Sequence, residues 1–507
     1  MSQIPRVVLG GLRGGSGKTI LTVALISGLR KRGINTVPFK KGPDYIDAGW
    51  LAYAAGHPCY NLDLFIMDKR AVLRSFLFHS RASQCAVIEG NRGLYDGVDM
   101  EGTFSTAELA KLIYSPVLLV IDSCKTTRTA AAMITGCQKF DPDVDIRGVI
   151  LNCVAGNRHE SLLRSTIEHY CGLPVVGAVP RLKEKTFPER HMGLTPYQEH
   201  PQVEKAMASM TEIAEKYLDL NGIWKIANEA PTLSNVECGM WNMDFNSEIH
   251  PFPNPPPSRG KAGVGERLRT LNSELTVDSS LKIGVIRDSA FQFYYPENFE
   301  ELEKRGAKLV EISALIEKEL PELDALYIGG GFPETHAITL AGNDNFRDSL
   351  RQAVEKGLPV YAECGGLMYL GESLVVEDKT YPMAGILPVV FGLEKRPQAH
   401  GYSVVEVEKS NPYFAVGRTL KGHEFHYSRV LNCQEDEINT VFRMKRGNGL
   451  DGKRDGIVYK NVLATYTHMH ALGTREWTDG VINRALSYRE KRENLKVESW
   501  KKKVKRK

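Results

Sequence analysis

No run of about 18 uncharged apolar residues occurs in the 507-residue chain, so no transmembrane helix is expected. Also missing are any CxxC pair and any Cys/His spacing of the zinc-binding kind, although nine cysteines are present. Their odd number and mostly apolar neighbours point to a reducing compartment in which eight of them are buried thiols. The ninth, Cys364, sits in a different setting. The opening stretch MSQIPRVVLGGLRGGSGKT goes straight into a strand and a phosphate loop. It lacks the basic start, apolar run and small-residue cleavage site of a secretory signal, which implies a cytoplasmic protein. A strong body charge of either sign is absent too. The net charge is +4, but residues 489–507 hold ten Lys/Arg against three Asp/Glu, a local +7 that leaves the other 488 residues at −3. A cationic face for nucleic acid is therefore not implied, and the tail reads as a solvated, frayed and dispensable terminus.

What is present is the composition of a globular protein, with 42% apolar and 25% charged residues, and a length that calls for two or three domains. The first 200 residues alternate buried-strand runs, clearest at 6–12, 85–90, 116–122 and 146–152, with helix-length stretches. That alternation predicts βαβ units and a parallel sheet with helices on both faces. Residues 245–280, which include PFPNPPPSRGKAGVGERLRT, are rich in Pro, Gly and charge and read as a linker. A second α/β pattern follows, with strands expected at 281–288, 325–331, 358–364 and 462–468. The fold class is thus α/β in two domains, 1–244 and 281–488, joined by the linker and followed by the basic tail 489–507.

Strand 6–10 leads into GLRGGSGKT (11–19), and ILTVALISGLRKRG reads as an amphipathic helix running to Gly33. A glycine loop between a strand and a helix N-terminus turns backbone N–H groups toward phosphate oxygens, here at Gly14, Gly15, Ser16 and Gly17. Lys18 would neutralise the outer phosphates, and the Thr19 hydroxyl would ligate Mg²⁺. In the GxxxxGK[ST] pattern the first glycine should fall at residue 12, which is Leu; Gly11 stands one place earlier. Two acidic clusters follow. KKGPDYID (40–47) supplies Asp44 and Asp47, and IEGNRGLYDG (88–97) supplies Glu89 and Asp96. Glu89 closes a buried strand at the carboxyl edge where parallel sheets bind ligands, and a carboxylate there is costly unless it meets a cation.

In LPVYAECGGLMYLG a strand turns sharply at Glu363-Cys364 into two glycines and a helix. This is the layout of a nucleophile elbow, with the sulfur at a helix N-terminus that favours thiolate over thiol. A thiol nucleophile needs a base, and ATYTHMH offers His468 and, two residues on along the expected strand face, His470. Spacing does not choose between them. Backbone N–H groups at Gly365 and in the run 329–331, at Gly330 and Gly331, are the expected oxyanion donors.

Together these residues resemble the cobyrinic acid a,c-diamide synthase family over nearly the whole chain. The N-terminal half is similar to a dethiobiotin-synthetase-like ATP domain in GGSGKT, FKKGPDYID and IEGNRGLYDG, with FPERHMGLTP (187–196) as a further signature. The C-terminal half resembles a cobyrinate-type class I glutamine amidotransferase domain in RDSAFQFYYPEN (287–298), YIGGGFPE, YAECGGLMYL, GHEFHYS (422–428) and ATYTHMH.

The resemblance implies ATP-dependent amidation of the a and c side-chain carboxylates of cobyrinate, with glutamine or ammonia as nitrogen source. Cys364 matches the family's thiol, which would form a thioester with glutamine and release ammonia, and His468 matches its partner. Common class I amidotransferases carry a glutamate two residues past that histidine; His470 stands there in this chain, so a Cys364–His468 dyad is expected. ATP would convert the substrate carboxylate into an acyl phosphate that ammonia displaces. Thr19, Asp44 and Glu89 would then hold Mg²⁺, Asp47 and Asp96 would position substrate or phosphoryl oxygens, and Lys18 would stabilise the moving phosphoryl group. Ammonia is expected to cross between packed domains by a shielded passage. The implied partners are glutamine, ATP and a corrinoid polycarboxylic acid, not nucleic acid or a membrane, and a homodimer is left open. The same motifs would serve amidation of nickel-sirohydrochlorin or hydrogenobyrinate. A non-catalytic P-loop ATPase switch is the remaining alternative, and it gives Cys364 and His468 no task.

Overall fold

A computed structural model describes residues 3–182, 189–190, 193–233, 281–433 and 438–504. The expected linker 245–280 and part of the 187–196 signature lie outside the described residues. The N-terminal half is built on seven strands: β1 (Arg6–Gly11), β2 (Thr36–Lys41), β3 (Tyr60–Leu62), β4 (Cys85–Glu89), β5 (Val117–Asp122), β6 (Ile146–Val154) and β7 (Val175–Pro180). They lie in the order β3-β2-β4-β1-β5-β6-β7. Every neighbouring pair is parallel, so the carboxyl ends share one edge. The strands are almost wholly apolar because both faces are covered by helices.

Helix α1 (Lys18–Lys31) departs from the amphipathic expectation: every residue from Leu21 to Leu29 is buried. The cause is cover on the outer side, where α1 packs against the helix Val203–Tyr217 and against α2 (Ile46–Ala55). A Cβ at Gly28 would stand 2.7 Å from that of Ala214, so glycine is what lets the two helices touch.

The C-terminal half differs more from the expected repetition of the first. At one end of a ten-stranded sheet, β8 (Leu281–Ile286), β9 (Ala307–Ile312), β10 (Ala325–Ile328), β11 (Val360–Glu363) and β16 (Val462–Thr465) run parallel. Then β12 (Ala399–Val407), β13 (Thr419–His426), β14 (Asn439–Arg446), β15 (Arg454–Tyr459) and β17 (His468–Met469) extend it antiparallel. The spatial order is β9-β8-β10-β11-β16-β15-β14-β12-β13-β17. All four expected strands of this half end before their predicted limits, at Ile286, Ile328, Glu363 and Thr465.

Residues 489–504 of the basic tail are not frayed. They form the second half of the helix Arg475–Val504, with Arg492 donating to the carbonyl of Leu323 and to the buried carboxylate of Asp324 at 2.7 Å. Nor are the cysteines uniformly buried: Cys124, in a turn after β5, is exposed, while Cys137 and Cys171, on helices, and Cys153, near the end of β6, are half-buried. The two halves pack directly. Tyr402 donates to Asp63 at 2.6 Å, and Glu300 receives both Tyr60 and His79 at 2.9 Å. Among the described residues, no helix is long and apolar enough to cross a membrane.

Candidate active site

The phosphate loop opens at the end of β1. Gly17 takes a left-handed φ of 88° to start α1, a conformation that favours glycine. Beside Gly14 and Gly15 no atom lies within 4 Å of where a Cβ would stand, which leaves the loop rim open to a ligand. Lys18 folds back under the loop and donates to the carbonyls of Arg92 and Arg13. A Cβ at residue 11 would stand 3.1 Å from its Nζ, so Gly11, the displaced first glycine, is the one that makes room for the lysine. Ser16 closes the loop by donating to the carbonyl of Arg13, and Asn152 at the end of β6 holds the Ser16 carbonyl at 3.0 Å.

Below the loop the two acidic clusters converge on one cation that the motif reading had overlooked. Lys40, fully buried near the end of β2, places its ammonium 2.6 Å from Asp47, 2.9 Å from Glu89 and 4.0 Å from Asp44. Thr19 donates to Glu89 at 2.7 Å and to Asp47 at 3.1 Å. Burial works against the Lys40 charge, but Asp47, Glu89 and Asp44 outweigh it and hold its pKa well above the ordinary lysine value. Burial pushes the Glu89 carboxyl up, against the pull of Lys40. Burial and then the Asp47 charge raise Asp44 to about 7, even though a third of its side chain meets solvent. One oxygen of Glu89, Oε2, is buried with no hydrogen-bond partner. An orphaned carboxylate oxygen beside a hydroxyl and further carboxylates suits a hard divalent cation such as Mg²⁺. Asp96 stands apart from this cluster, its carboxylate held by the N–H of Gly93 at 2.8 Å.

The thiol lies across the domain interface. Cys364 follows β11 with φ 48° and ψ −99°, a strained conformation for a non-glycine residue. Its N–H is tied to the Thr465 carbonyl at 2.8 Å, and its Sγ lies 3.9 Å from the Phe425 carbonyl on β13. The helix Gly365–Leu370 then passes so close to β10 that a Cβ at Gly366 would meet the Ile328 carbonyl at 2.6 Å. The same packing brings Gly365 against Gly331, with 2.9 Å between its would-be Cβ and the Gly331 nitrogen. The expectation of a stabilised thiolate is corrected here. Burial, then Glu334, pushes the Cys364 thiol above its usual range, and the Gly365 N–H only partly opposes this.

The two histidines that spacing could not separate have different surroundings. His468 pairs with His423 across β17 and β13, ring on ring with centroids 4.8 Å apart. Its Cε1 edge faces Gly330, where a Cβ would come within 2.5 Å. Its Nδ1 lies 3.5 Å from Glu363, the residue just before the thiol. His470 is engaged elsewhere, with Nε2 3.6 Å from Glu297 and its ring 4.5 Å from that of Tyr295. His423 is held neutral: burial, then the neighbouring His468, drives its pKa well down.

One cavity of about 520 Å³ lies between the halves, lined by Asp44, Asp47 and Asp96 from the first and by His423, Phe425 and His468 from the second; the phosphate loop and Cys364 do not line it. Tyr45, beside Asp44, reaches into the second domain and lies 5.4 Å from the rings of both His423 and His468. A larger cavity of about 1090 Å³ lies beyond Tyr45, and none of Asp44, Asp47, His423 and His468 lines it.

Comparison with known proteins agrees with this two-part construction. Residues 7–194 match the CobQ/CobB/MinD/ParA nucleotide binding domain family, and residues 282–476 match the CobB/CobQ-like glutamine amidotransferase domain family. The chain is 40% identical over 476 residues to the cobyrinate a,c-diamide synthase of Magnetococcus marinus, covering 94% of this chain and 96% of that one. It is 40% identical over 485 residues to the enzyme of that name from Archaeoglobus fulgidus, covering 96% and 98%. To its counterpart in Listeria innocua it is 34% identical over 467 residues, covering 92% and 96%.

Proposed function

The chain belongs to the cobyrinate a,c-diamide synthase family, and from that premise we propose how its own residues divide the work of an ATP- and glutamine-dependent ligase. The reaction is amidation of the a- and c-carboxylates of cobyrinate, a step of cobalamin biosynthesis. In our reading residues 1–244 form the ATP-dependent half and residues 281–488 the amidotransferase half. The observation that carries the proposal is the shared cavity, which faces the Lys40-centred acidic cluster on one side and His468 on the other.

Carboxylates resist amidation because hydroxide or oxide is a poor leaving group. Transfer of the γ-phosphoryl of ATP to a substrate carboxylate supplies phosphate as the leaving group instead. Gly14, Gly15, Ser16 and Gly17 would cradle the phosphates through backbone N–H groups, and Lys18 would swing from the Arg92 carbonyl to the moving phosphoryl group. Thr19, Asp44 and Glu89 would hold Mg²⁺, which lowers the charge repulsion of the phosphates when bound. Asp47 and Asp96 would orient the substrate carboxylate. Lys41, Arg92 and Arg446 also line the cavity and offer cationic contacts to a polycarboxylate.

In the other half Cys364 would attack the glutamine amide carbon while His468 accepts the thiol proton and returns it to the leaving ammonia. Gly330, Gly331 and Gly365 would supply the N–H groups that meet the oxyanion. A cytoplasmic setting supplies ATP and keeps the thiol reduced. The test is to incubate the protein with ATP, Mg²⁺ and glutamine, offering cobyrinate and nickel-sirohydrochlorin separately, and to weigh the products. A mass decrease of about 2 Da on cobyrinate, from two OH-to-NH₂ exchanges, is expected; product only from the nickel tetrapyrrole would overturn the substrate.

A further inference from the structure

We infer that Glu363 is the positioning residue that orients His468, filling from the strand before the nucleophile the role that the chain leaves open at position 470. The inference rests on the reading of Cys364 and His468 as nucleophile and base. Glu363 has no exposed surface at all. A carboxylate in such a place is costly unless it meets a cation or several donors. Among the described residues, no Lys or Arg reaches it, and His468 is the one ionisable base within 4 Å.

The carboxylate is divided between two tasks. Its Oε1 accepts the Met469 N–H at 2.9 Å, which fixes the backbone next to the histidine. Its Oε2 accepts the Tyr327 hydroxyl at 3.0 Å and lies 3.5 Å from His468 Nδ1. That nitrogen is buried and has no hydrogen-bond partner of its own. A buried orphan nitrogen facing a buried carboxylate at this separation needs only a small ring rotation to become a hydrogen bond. With the proton on Nδ1 and directed to Glu363, Nε2 carries the free lone pair, which is the tautomer a base needs to take a thiol proton.

Chain geometry explains why this carboxylate can do the job. Glu363 ends β11 and Cys364 begins the elbow, while β11 pairs in parallel with β16 so that Glu363 lies beside Thr465. The turn 465–467 then brings His468 back over the end of β11. Buried Asp455 holds that turn by accepting from the hydroxyls of Thr465 and Thr467 and from the N–H groups of Tyr466 and Thr467. One short stretch of strand thus carries both the nucleophile and the support for its base.

The test compares Glu363→Gln, Glu363→Asp and Tyr327→Phe in the full chain, measuring glutaminase kcat and KM beside ammonia-dependent synthesis. Glu363→Gln keeps the size and an acceptor for Met469 but removes the charge. It should lower glutaminase kcat about 100-fold, within the range that acid–base positioning commands. KM for glutamine should change less than about threefold, and ammonia-dependent synthesis should persist. Glu363→Asp should recover part of the loss, and Tyr327→Phe, which removes the hydroxyl that donates to Glu363 and accepts from Asn298, should stay within about threefold of wild type. Glutaminase within twofold of wild type in Glu363→Gln, or loss of both activities together, overturns the inference. If His468→Ala itself keeps full glutaminase, the base assignment falls instead, so the two failures are distinguishable.

Discussion

At the scale of single residues, the two halves are expected to fail separately. Cys364→Ala should abolish glutamine-dependent amidation and retain synthesis with high ammonium salt at alkaline pH, since the acidic cluster and phosphate loop are untouched. Equal loss with both nitrogen donors, measured by product mass, would remove Cys364 from the glutaminase. Asp44 gives a pH signature. Its folded pKa of about 7 lies above the ordinary value of about 3.9, so the folded protein holds a proton that the unfolded chain releases. That contribution to stability is complete below about pH 4 and is lost as the pH rises through 7. A metal ion bound there must expel the proton. Mg²⁺ affinity should therefore rise as the pH climbs through 7, with proton release visible by calorimetry in buffers of different ionisation heat, and Asp44→Asn should flatten both. Equal pH dependence in wild type and Asp44→Asn would take Asp44 out of the site. Lys40 was not legible beforehand because lysine in FKKGPDYID reads as a surface charge; only the fold shows that β2 drives it into the sheet edge beneath three carboxylates.

At the scale of elements, legibility followed hydrophobic continuity. β1, β4, β5 and β6 are nearly unbroken apolar runs, and the parallel core announced itself within a residue or two of the observed ends. β12 to β15 did not, because their charge and alternation resemble loops. GHEFH, the first five residues of GHEFHYS, ends β13 with buried histidines and a buried glutamate, and no periodicity rule assigns that pattern to the interior. The C-terminal helix is the plainest reversal, since KKKVKRK reads as a free tail while the residues before it are anchored. Truncation after Lys496 should leave amidation within about twofold, because Arg492 and Lys496 keep their carboxylate partners. Truncation after Tyr488 removes the cation from buried Asp324, which would then rely on the Lys282 N–H. A loss of about 1–3 kcal/mol is expected for such an abandoned group. Thermal unfolding of the two truncated proteins checks this: equal midpoints would show that Arg492 contributes nothing.

At the scale of the whole molecule, the proposed division of work predicts that ammonia passes between the halves without entering the solvent. At neutral pH free ammonia is mostly the ammonium ion, which has no lone pair to attack an acyl phosphate, so a nitrogen atom lost to bulk water is largely wasted. The shared cavity runs from His468 to the acidic cluster, and His423 in its wall is kept neutral by burial, so it does not repel or protonate a passing amine. The walls depend on contacts between domains that the chain order alone would never pair: Asp63 with Tyr402, and Tyr45 stacked on Phe293 at 5.3 Å. Asp63 also caps the N–H groups of Phe65 and Ile66, so its position is set from within the first domain and the Tyr402 hydroxyl locks the second domain to it. Tyr402→Phe keeps the ring that stacks on Phe65 and removes only this bond. In wild type, one glutamate should appear per amide formed, and an enzymatic ammonia scavenger in the medium should not slow glutamine-dependent synthesis. In Tyr402→Phe the yield of amide per glutamate should fall and the scavenger should begin to inhibit, while the ammonia-dependent rate stays near wild type. Wild-type synthesis that the scavenger suppresses would mean that ammonia travels through solvent, and the cavity would then serve the tetrapyrrole alone.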